Sequence, residues 1–191
     1  AKRLFDGTVG EIVESADALN QAGQRLLSTG SFLIKDAFGV SGSGNQLISS
    51  PQLLRRTVRY LAKQERQGKQ TQFLLEPLLD RATDFSCQFK VAPTGEMEIV
   101  SVQVMRNTGF AFAGIESADI AFCDMLDQAG YFTQVAAIAT TLHESGYHGP
   151  VCLDSMQLTD GTIVPVVEIN ARKSMGLVNH HVDQFLAQFS T

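Results

Sequence analysis

The sequence predicts an α+β fold in which helices pack on antiparallel sheets. Three observations predict it. Helical spacing of apolar residues alternates with short strand patterns early in the chain, a strand meander follows, and a hairpin with an Asp-Gly turn lies near the C-terminus. At 191 residues the chain suits one domain or two small lobes. A break near Gly68 to Thr71 predicts a smaller lobe at 1–70 and a larger lobe at 71–191.

Two helices and one strand are predicted in the first lobe. The first helix begins after Ser15, a good N-cap, and runs to about Leu27. Ser50 caps the second helix, which has a proline at its first position. Between the helices, Phe32–Lys35 form a short strand that leads into the glycine-rich loop Gly39–Gly44.

The second lobe is predicted as a meander, a helix, a hairpin and a terminal helix. Apolar and polar residues alternate along 85–91 with the period of a half-buried strand. Turns at 94–95, 107–109 and 160–161 separate successive strands, and the last is a strong hairpin signal. The predicted elements are strands at 72–79, 85–91, 100–104, 110–115, 151–158 and 163–169, and helices at 128–145 and 179–189.

Charge and composition exclude several classes of function. A net charge of −5 argues against a nucleic-acid partner, because phosphate binding needs a basic surface. The apolar runs are too short to span a bilayer and there is no signal-peptide pattern, which predicts a cytoplasmic protein with no membrane partner. Cys87, Cys123 and Cys152 are widely spaced, which favours reduced thiols over a structural zinc site or disulfides.

The glycine-rich loop and the lysine before it form the first candidate site. Backbone N–H groups of such a loop can wrap a phosphate, although Gly39–Gly44 matches neither the P-loop nor the dinucleotide motif. An ordinary surface turn is the alternative. Lys35 ends an otherwise apolar strand four residues before Gly39, so it either extends to solvent from an edge strand or faces an anion. The adjacent loop favours the anion.

The second candidate site is a group of acids on the last hairpin. Asp154 and Glu168 are expected roughly opposite each other across the Asp160-Gly161 turn, and Asn170 shares the face of Glu168. Two carboxylates and an amide on a largely apolar hairpin favour Mg²⁺ over a solvated strand face. Arg172 follows on the same side and is either a surface residue or a bidentate contact to a carboxylate or phosphate.

The strand-end lysine, the glycine-rich loop and the acids of the last hairpin follow one another in the order found in the ATP-grasp carboxylate–amine ligases. The chain resembles this family over about residues 10–180. The resemblance implies two α/β lobes that grip a nucleotide, with an antiparallel sheet in the larger lobe. It implies ATP and Mg²⁺ as cofactors, with Mn²⁺ as an alternative ion. For the nucleotide, it implies contacts to the phosphates from Lys35, Gly39, Ser41, Gly42 and Gly44, to the adenine edge from Glu76 and Leu78, and to the ribose from Asp84. For the metal, it implies the ligands Asp154, Glu168 and Asn170. The implied catalytic residues are Lys35 and Arg172, with Arg172 at the acyl phosphate or substrate carboxylate.

The resemblance also implies the reaction and its partners. ATP phosphorylates a substrate carboxylate, and an amine then displaces phosphate to form an amide; both substrates are small molecules. The family has an N-terminal domain for which too little chain precedes Lys35. We therefore expect a fragment that is completed by a missing N-terminal region or a companion chain, and the sequence does not decide whether it is active alone; a homodimer is also compatible. Asp36 stands where the family commonly has a proline.

Two other functions stay open at this point. One is bicarbonate activation, as in carbamoyl phosphate synthesis or biotin carboxylation, for which the run Glu168–Arg172 is nearly as suitable. The other is a nucleotide-binding module without catalysis. No Ser-His-Asp or Cys-His set is recognisable, and His143, His148, His180 and His181 receive no role.

Overall fold

The computed structural model describes residues 10–36, 45–69, 72–108 and 111–189. The chain divides into two compact units, and the boundary lies between Leu79 and Asp80. Each unit has its own sheet and its own apolar core. In the part of the chain that the structure describes, no helix is both long enough and apolar enough to cross a membrane.

The first unit is a four-stranded antiparallel sheet packed against two helices. Its strand order is β1-β4-β2-β3. Because β4 pairs with both β1 and β2, it belongs to this unit, and the boundary follows Leu79 instead of residue 70 as predicted. The elements in chain order are β1 (Glu11–Val13), α1 (Ala16–Thr29), β2 (Phe32–Asp36), β3 (Gln46–Ile48), α2 (Pro51–Arg66) and β4 (Phe73–Pro77).

Both helices of the first unit begin at the predicted caps. The side chain of Ser15 accepts from the N–H of Ala18 at 3.1 Å, and that of Ser50 accepts from the N–H of Leu53 at 3.3 Å. These bonds satisfy backbone donors that have no partner within the helix. The buried core lies between the helices and one face of the sheet and includes Leu19, Ala22, Leu54, Phe32, Ile34, Ile48 and Leu75.

The second unit is a five-stranded antiparallel sheet with the order β7-β6-β5-β8-β9. One face packs against α3 and α4, and α5 contacts the sheet at β5, β6 and β7. The elements are β5 (Arg81–Val91), β6 (Met97–Thr108), β7 (Ala111–Ser117), α3 (Ile120–Gln128), α4 (Tyr131–Glu144), β8 (Gly149–Leu158), β9 (Ile163–Asn170) and α5 (Met175–Ala187).

The predicted alternation along β5 separates the two faces of the larger sheet. Phe85, Cys87 and Phe89 are buried in the core with the residues of α3 and α4. Ser86 and Gln88 lie between them in sequence and therefore on the opposite face, where they are also buried. Because both are polar, this second face needs hydrogen-bond partners rather than apolar ones.

Several predicted boundaries differ from those in the structure. The predicted helix at 128–145 is α4, which begins at Tyr131, whereas α3 was not predicted. Gly130 lies between the two helices with a φ of +71°, which disfavours other residues. Asn107 and Thr108 belong to β6 rather than to a turn. The terminal helix starts earlier than predicted, because Ser174 caps it. Strands β1 and β3, of three residues each, were not predicted because they are too short to show a period.

Candidate functional site

A row of polar residues crosses the face of the larger sheet that α3 and α4 do not cover. Each residue of the row pairs directly with the next on the neighbouring strand. The row extends from β7 to β9, and consecutive partners in a sheet point to the same face. Its members in order are Ser117, Gln103, Ser86, Asp154 and Glu168.

The three predicted metal ligands lie together at one end of this row. Asp154 is directly opposite Glu168, and Asn170 Nδ2 donates to Asp154 Oδ2 at 3.1 Å. The thiol of Cys152 donates to the other oxygen, Asp154 Oδ1, at 3.4 Å. Glu168 is exposed, whereas Asp154 and Asn170 are half-buried. The site therefore opens to solvent on the side of β9.

An irregularity in the hairpin places the two acids opposite each other. Near the turn, Met156 pairs with Val164, and a regular continuation of this register would bring Val166 opposite Asp154. The register shifts between Asp154 and Met156, so that Glu168 takes that position instead. Such bulges commonly re-aim side chains next to functional sites. Without this shift, the two carboxylates would not face each other directly.

Burial acts against the charge of Asp154. The pKa of that carboxyl is raised from 3.8 to about 6, chiefly by burial and to a smaller extent by the nearby charge of Glu168. Opposing this, the hydrogen bond from Cys152, the charge of Arg172 and the hydrogen bond from Asn170 lower the pKa. A cation between the two acids would favour the ionised form of Asp154.

The ligand types at this site match Mg²⁺. Among the described residues there is no group of three or more His, Cys, Asp and Glu that could hold a metal ion. The candidate site instead offers two carboxylates and one amide, all of them oxygen donors. Mg²⁺ typically takes one or two carboxylates from a protein and completes its shell with waters and phosphate oxygens. The donor set therefore fits an ion shared with a phosphate ligand.

Arg172 lies beside this group. Its Nη2 donates to Asn170 Oδ1 at 3.1 Å, and Nη1 donates to the carbonyl of Lys173 at 3.4 Å. The residue is exposed, so the guanidinium is anchored on one side and accessible on the other. This arrangement is compatible with the predicted contact to an anionic ligand next to the predicted metal ligands.

Asp84 shares the polar face with the acids of the hairpin. It precedes Ser86 by two residues on β5, so its side chain points the same way, and it pairs with Met156 of β8. Arg81 Nη1 lies 2.6 Å from Asp84 Oδ2 in an ion pair. The structure therefore places the predicted ribose contact on the same face of the same unit as the predicted metal ligands.

Lys35 and Glu76 come together in the first unit. Their side chains form an ion pair with an Nζ–Oε2 distance of 2.6 Å, and they are 26% and 12% exposed. They alternate with buried residues of β2 and β4, so they lie on the face of the sheet away from α1 and α2. The N–H of Leu78 donates to the carbonyl of Ser31 at 2.9 Å, which ties the residue after β4 to the start of β2.

The glycine-rich loop lies outside the described residues. Its predicted role in phosphate binding therefore stays a prediction. The residues concerned are Gly39, Ser41, Gly42 and Gly44.

Gln88 was not predicted as part of the site. Its Nε2 donates to Ser86 Oγ at 3.0 Å and to Cys152 Sγ at 3.3 Å, while Ser174 Oγ donates to its Oε1. Ser174 in turn caps α5 by accepting from the N–H of Leu177. Gln88 therefore links the start of α5 to the strand that carries Asp154. A polar residue in an alternating strand normally indicates a solvated face, so the sequence carried no signal of this burial.

The chain is similar to a curated ligase, although no family model matches it. The protein named [butirosin acyl-carrier protein]–L-glutamate ligase, from Niallia circulans, is 26% identical over 180 residues. The alignment covers 88% of this chain and 39% of that protein. The chain thus spans about two fifths of the length of this relative.

Solved structures of three ligases and carboxylases share the fold. The biotin carboxylase domain dimer of Hydrogenobacter thermophilus 2-oxoglutarate carboxylase, in complex with MgADP, ADP and bicarbonate, matches with a TM-score of 0.70 and 16% identity, over 91% of this chain and 38% of that one. D-alanyl-alanine synthetase A of Vibrio cholerae matches with a TM-score of 0.66 and 14% identity, over 93% of this chain and 55% of that one. The Staphylococcus aureus N5-carboxyaminoimidazole synthetase with ADP matches with a TM-score of 0.63 and 13% identity, over 87% of this chain and 41% of that one.

Proposed function

Because the chain has the ATP-grasp fold, we propose that it is the nucleotide- and magnesium-binding part of an ATP-dependent ligase that joins a carboxylic acid to an amine. The observation that carries the proposal is the cluster of Asp154, Glu168 and Asn170, brought together by the hairpin bulge. The identification of the curated relative as an L-glutamate ligase supports the same class of reaction.

The residues of the second unit would hold the metal and the reacting groups. Asp154, Glu168 and Asn170 would bind Mg²⁺, which when bound neutralises charge on the nucleotide phosphates. Arg172 would orient the substrate carboxylate, whose oxygen attacks the γ-phosphorus while ADP leaves. The amine then attacks the acyl carbon, phosphate leaves with the bonding electrons, and the amine loses a proton. No side-chain nucleophile is required.

The other residues would position the nucleotide. Lys35 would contact its phosphates, released by the ligand from the ion pair with Glu76. Glu76 and the carbonyl of Leu78 would meet the adenine edge, and Asp84 the ribose hydroxyls. Loop closure by Gly39–Gly44 would exclude water, which protects an acyl phosphate from hydrolysis. These roles rest on the resemblance and on the polar faces on which these side chains lie.

We propose that complete turnover needs more protein than this chain. Alignment to only 39% of the ligase relative and 38% of the carboxylase domain supports this. The additional part would be an N-terminal region or a companion chain. A cytoplasmic location and small-molecule substrates are part of the same proposal.

The nucleotide site can be tested by calorimetry. We expect ADP to bind in the presence of Mg²⁺, and Glu168→Gln to weaken the Mg²⁺-dependent part of the binding about tenfold or more, because an oxygen ligand of full charge is lost. Glu144→Gln, at an exposed glutamate near the end of α4, is the matched control and should bind as the wild type does. Equal Mg²⁺-dependent affinities for both variants would contradict the metal assignment.

Bicarbonate activation is the second candidate, favoured by the bicarbonate-bound structure among the matches. Phosphate release by the complete protein separates the two reactions. Release that requires a particular carboxylic acid and an amine supports the ligase. Release that requires bicarbonate, with no dependence on another acid, supports the alternative.

A further inference from the structure

A pocket lies within the second unit where α5 and the segment before it face the sheet. Its volume is about 430 Å³, and residues of β5, β6, β8 and α5 line it. Arg172 is part of the lining, so the pocket adjoins the cluster of predicted metal ligands through the hydrogen bond from this arginine to Asn170.

The charged residues that line the pocket are predominantly basic. Lys90, Arg172 and Lys173 contribute three cations, whereas Glu98 is the one acid among the lining residues. None of the three cations takes part in the ion pairs found among the described residues. All three are exposed, so their charges are available to a ligand. Cations that line a concave surface and are not neutralised in an ion pair favour an anionic occupant.

The pocket lies on the far side of the metal ligands from Asp84. Along β5, residues Asp84, Ser86, Gln88 and Lys90 share one face, and Asp154 pairs with Ser86. About 13 Å of strand separates Ser86 from Lys90, at roughly 3.3 Å per residue. A nucleotide whose ribose is at Asp84 and whose phosphates reach the metal would leave the pocket free for the acid.

The apolar part of the lining limits the kind of acid. Val100 and Leu177 contribute aliphatic surface to the same lining. A ligand that fills the pocket from the metal cluster to Lys90 would therefore contact aliphatic surface as well as cations.

We propose that this pocket selects a carboxylic acid substrate that carries a second anionic group, a carboxylate or a phosphate, beyond a short aliphatic segment. Lys90 and Lys173 would bind the second group, while Arg172 orients the reacting carboxylate. The orientation of the substrate in the pocket rests on the proposed function, whereas the negative charge of its second group rests on the lining of the pocket.

Titration of the chain by NMR, with and without MgADP, tests the inference. The probes are glutarate, its monocarboxylate counterpart pentanoate, and inorganic phosphate. We expect glutarate to bind about tenfold more tightly than pentanoate, and the double variant K90Q/K173Q to lose about fivefold or more of the glutarate affinity, with that of pentanoate unchanged. K63Q/K69Q, at two exposed lysines of the first unit, is the control.

The outcomes separate this inference from the proposed function. Equal affinities for glutarate and pentanoate, or equal losses in the two double variants, would overturn the pocket assignment even if MgADP binds. Lysine-dependent binding of glutarate without any binding of MgADP would support the pocket and contradict the nucleotide site. Competition between the probes shows whether phosphate or carboxylate is the preferred second group.

Discussion

Asp154 is subject to opposing influences that a metal ion would resolve. Its pKa of about 6 lies above the 3.8 of an ordinary aspartate, mainly because burial penalises the carboxylate. The folded, metal-free protein therefore binds this proton more readily than the unfolded chain does. As pH falls through 6 towards 3.8, this group adds stability to the metal-free fold, and the gain is complete below the unfolded pKa.

Magnesium binding should show the opposite dependence on pH. The ion needs the carboxylate, so we expect Mg²⁺ affinity to decline as pH falls through about 6, the folded pKa of Asp154. Thermal unfolding with and without Mg²⁺, measured from pH 7.5 to pH 5, reports both trends. Asp154→Asn should abolish the Mg²⁺ effect and reduce the pH dependence of the metal-free protein. A Mg²⁺ affinity that stays constant across pH 6 would contradict this assignment.

Among the secondary-structure elements, the β8–β9 hairpin is the one that forms the candidate site. Beside Asp154, the side chain of Ser155 points to the core face, where its Oγ donates to the carbonyl of Pro165 at 2.8 Å, within the irregular part of β9. The hydroxyl of Tyr131, on α4, lies 2.8 Å from the same Oγ. Because proline has no N–H to contribute to the ladder, it is suited to a bulge.

Removal of the Tyr131 hydroxyl should destabilise the second unit. Tyr131 is fully buried, and Tyr131→Phe leaves Ser155 without one of its two hydrogen bonds. We expect a loss of about 1 kcal/mol in the free energy of unfolding, measured with denaturant. Tyr60→Phe is the matched control, since Tyr60 is 61% exposed on α2, and it should change stability little. Equal effects of the two substitutions would show that the buried hydrogen bond contributes nothing.

On the scale of the whole molecule, the two units have separate apolar cores. Leu19 is fully buried in the core of the first unit and Leu153 in that of the second. Each core is formed by the sheet and helices of its own unit. This arrangement predicts that damage to one core has its main effect on the elements around it.

Hydrogen exchange measured by mass spectrometry can check this separation. Leu19→Ala should cost about 2–5 kcal/mol by cavity formation and should speed exchange mainly in α1, α2 and β2. Leu153→Ala should speed exchange mainly in β5, β8 and α4. If either substitution accelerates exchange equally in both units, the chain unfolds as one cooperative body and the prediction is wrong.

Much of the fold could be predicted because its signals are local. Ser15 and Ser50 cap helices by bonds that span three residues, and the alternation around Phe85 distinguishes an apolar from a polar face without knowledge of the partner strand. The boundary of the first unit was not predictable in this way. Strand β4 belongs to the first sheet only because it pairs with β1 and β2, which are distant in sequence.

The sequence by itself determined the residue types of the candidate site and their shared strand face, because a two-residue period places Glu168 and Asn170 on one side of β9. Only the tertiary structure decided that Glu168 lies directly opposite Asp154. A regular hairpin from the Asp160-Gly161 turn would have brought Val166 opposite Asp154, and the bulge shifts the register so that Glu168 takes this position. The hydrogen bonds of Ser155 to Pro165 and Tyr131 lie beside this bulge, join residues from different elements and leave no local pattern in the chain.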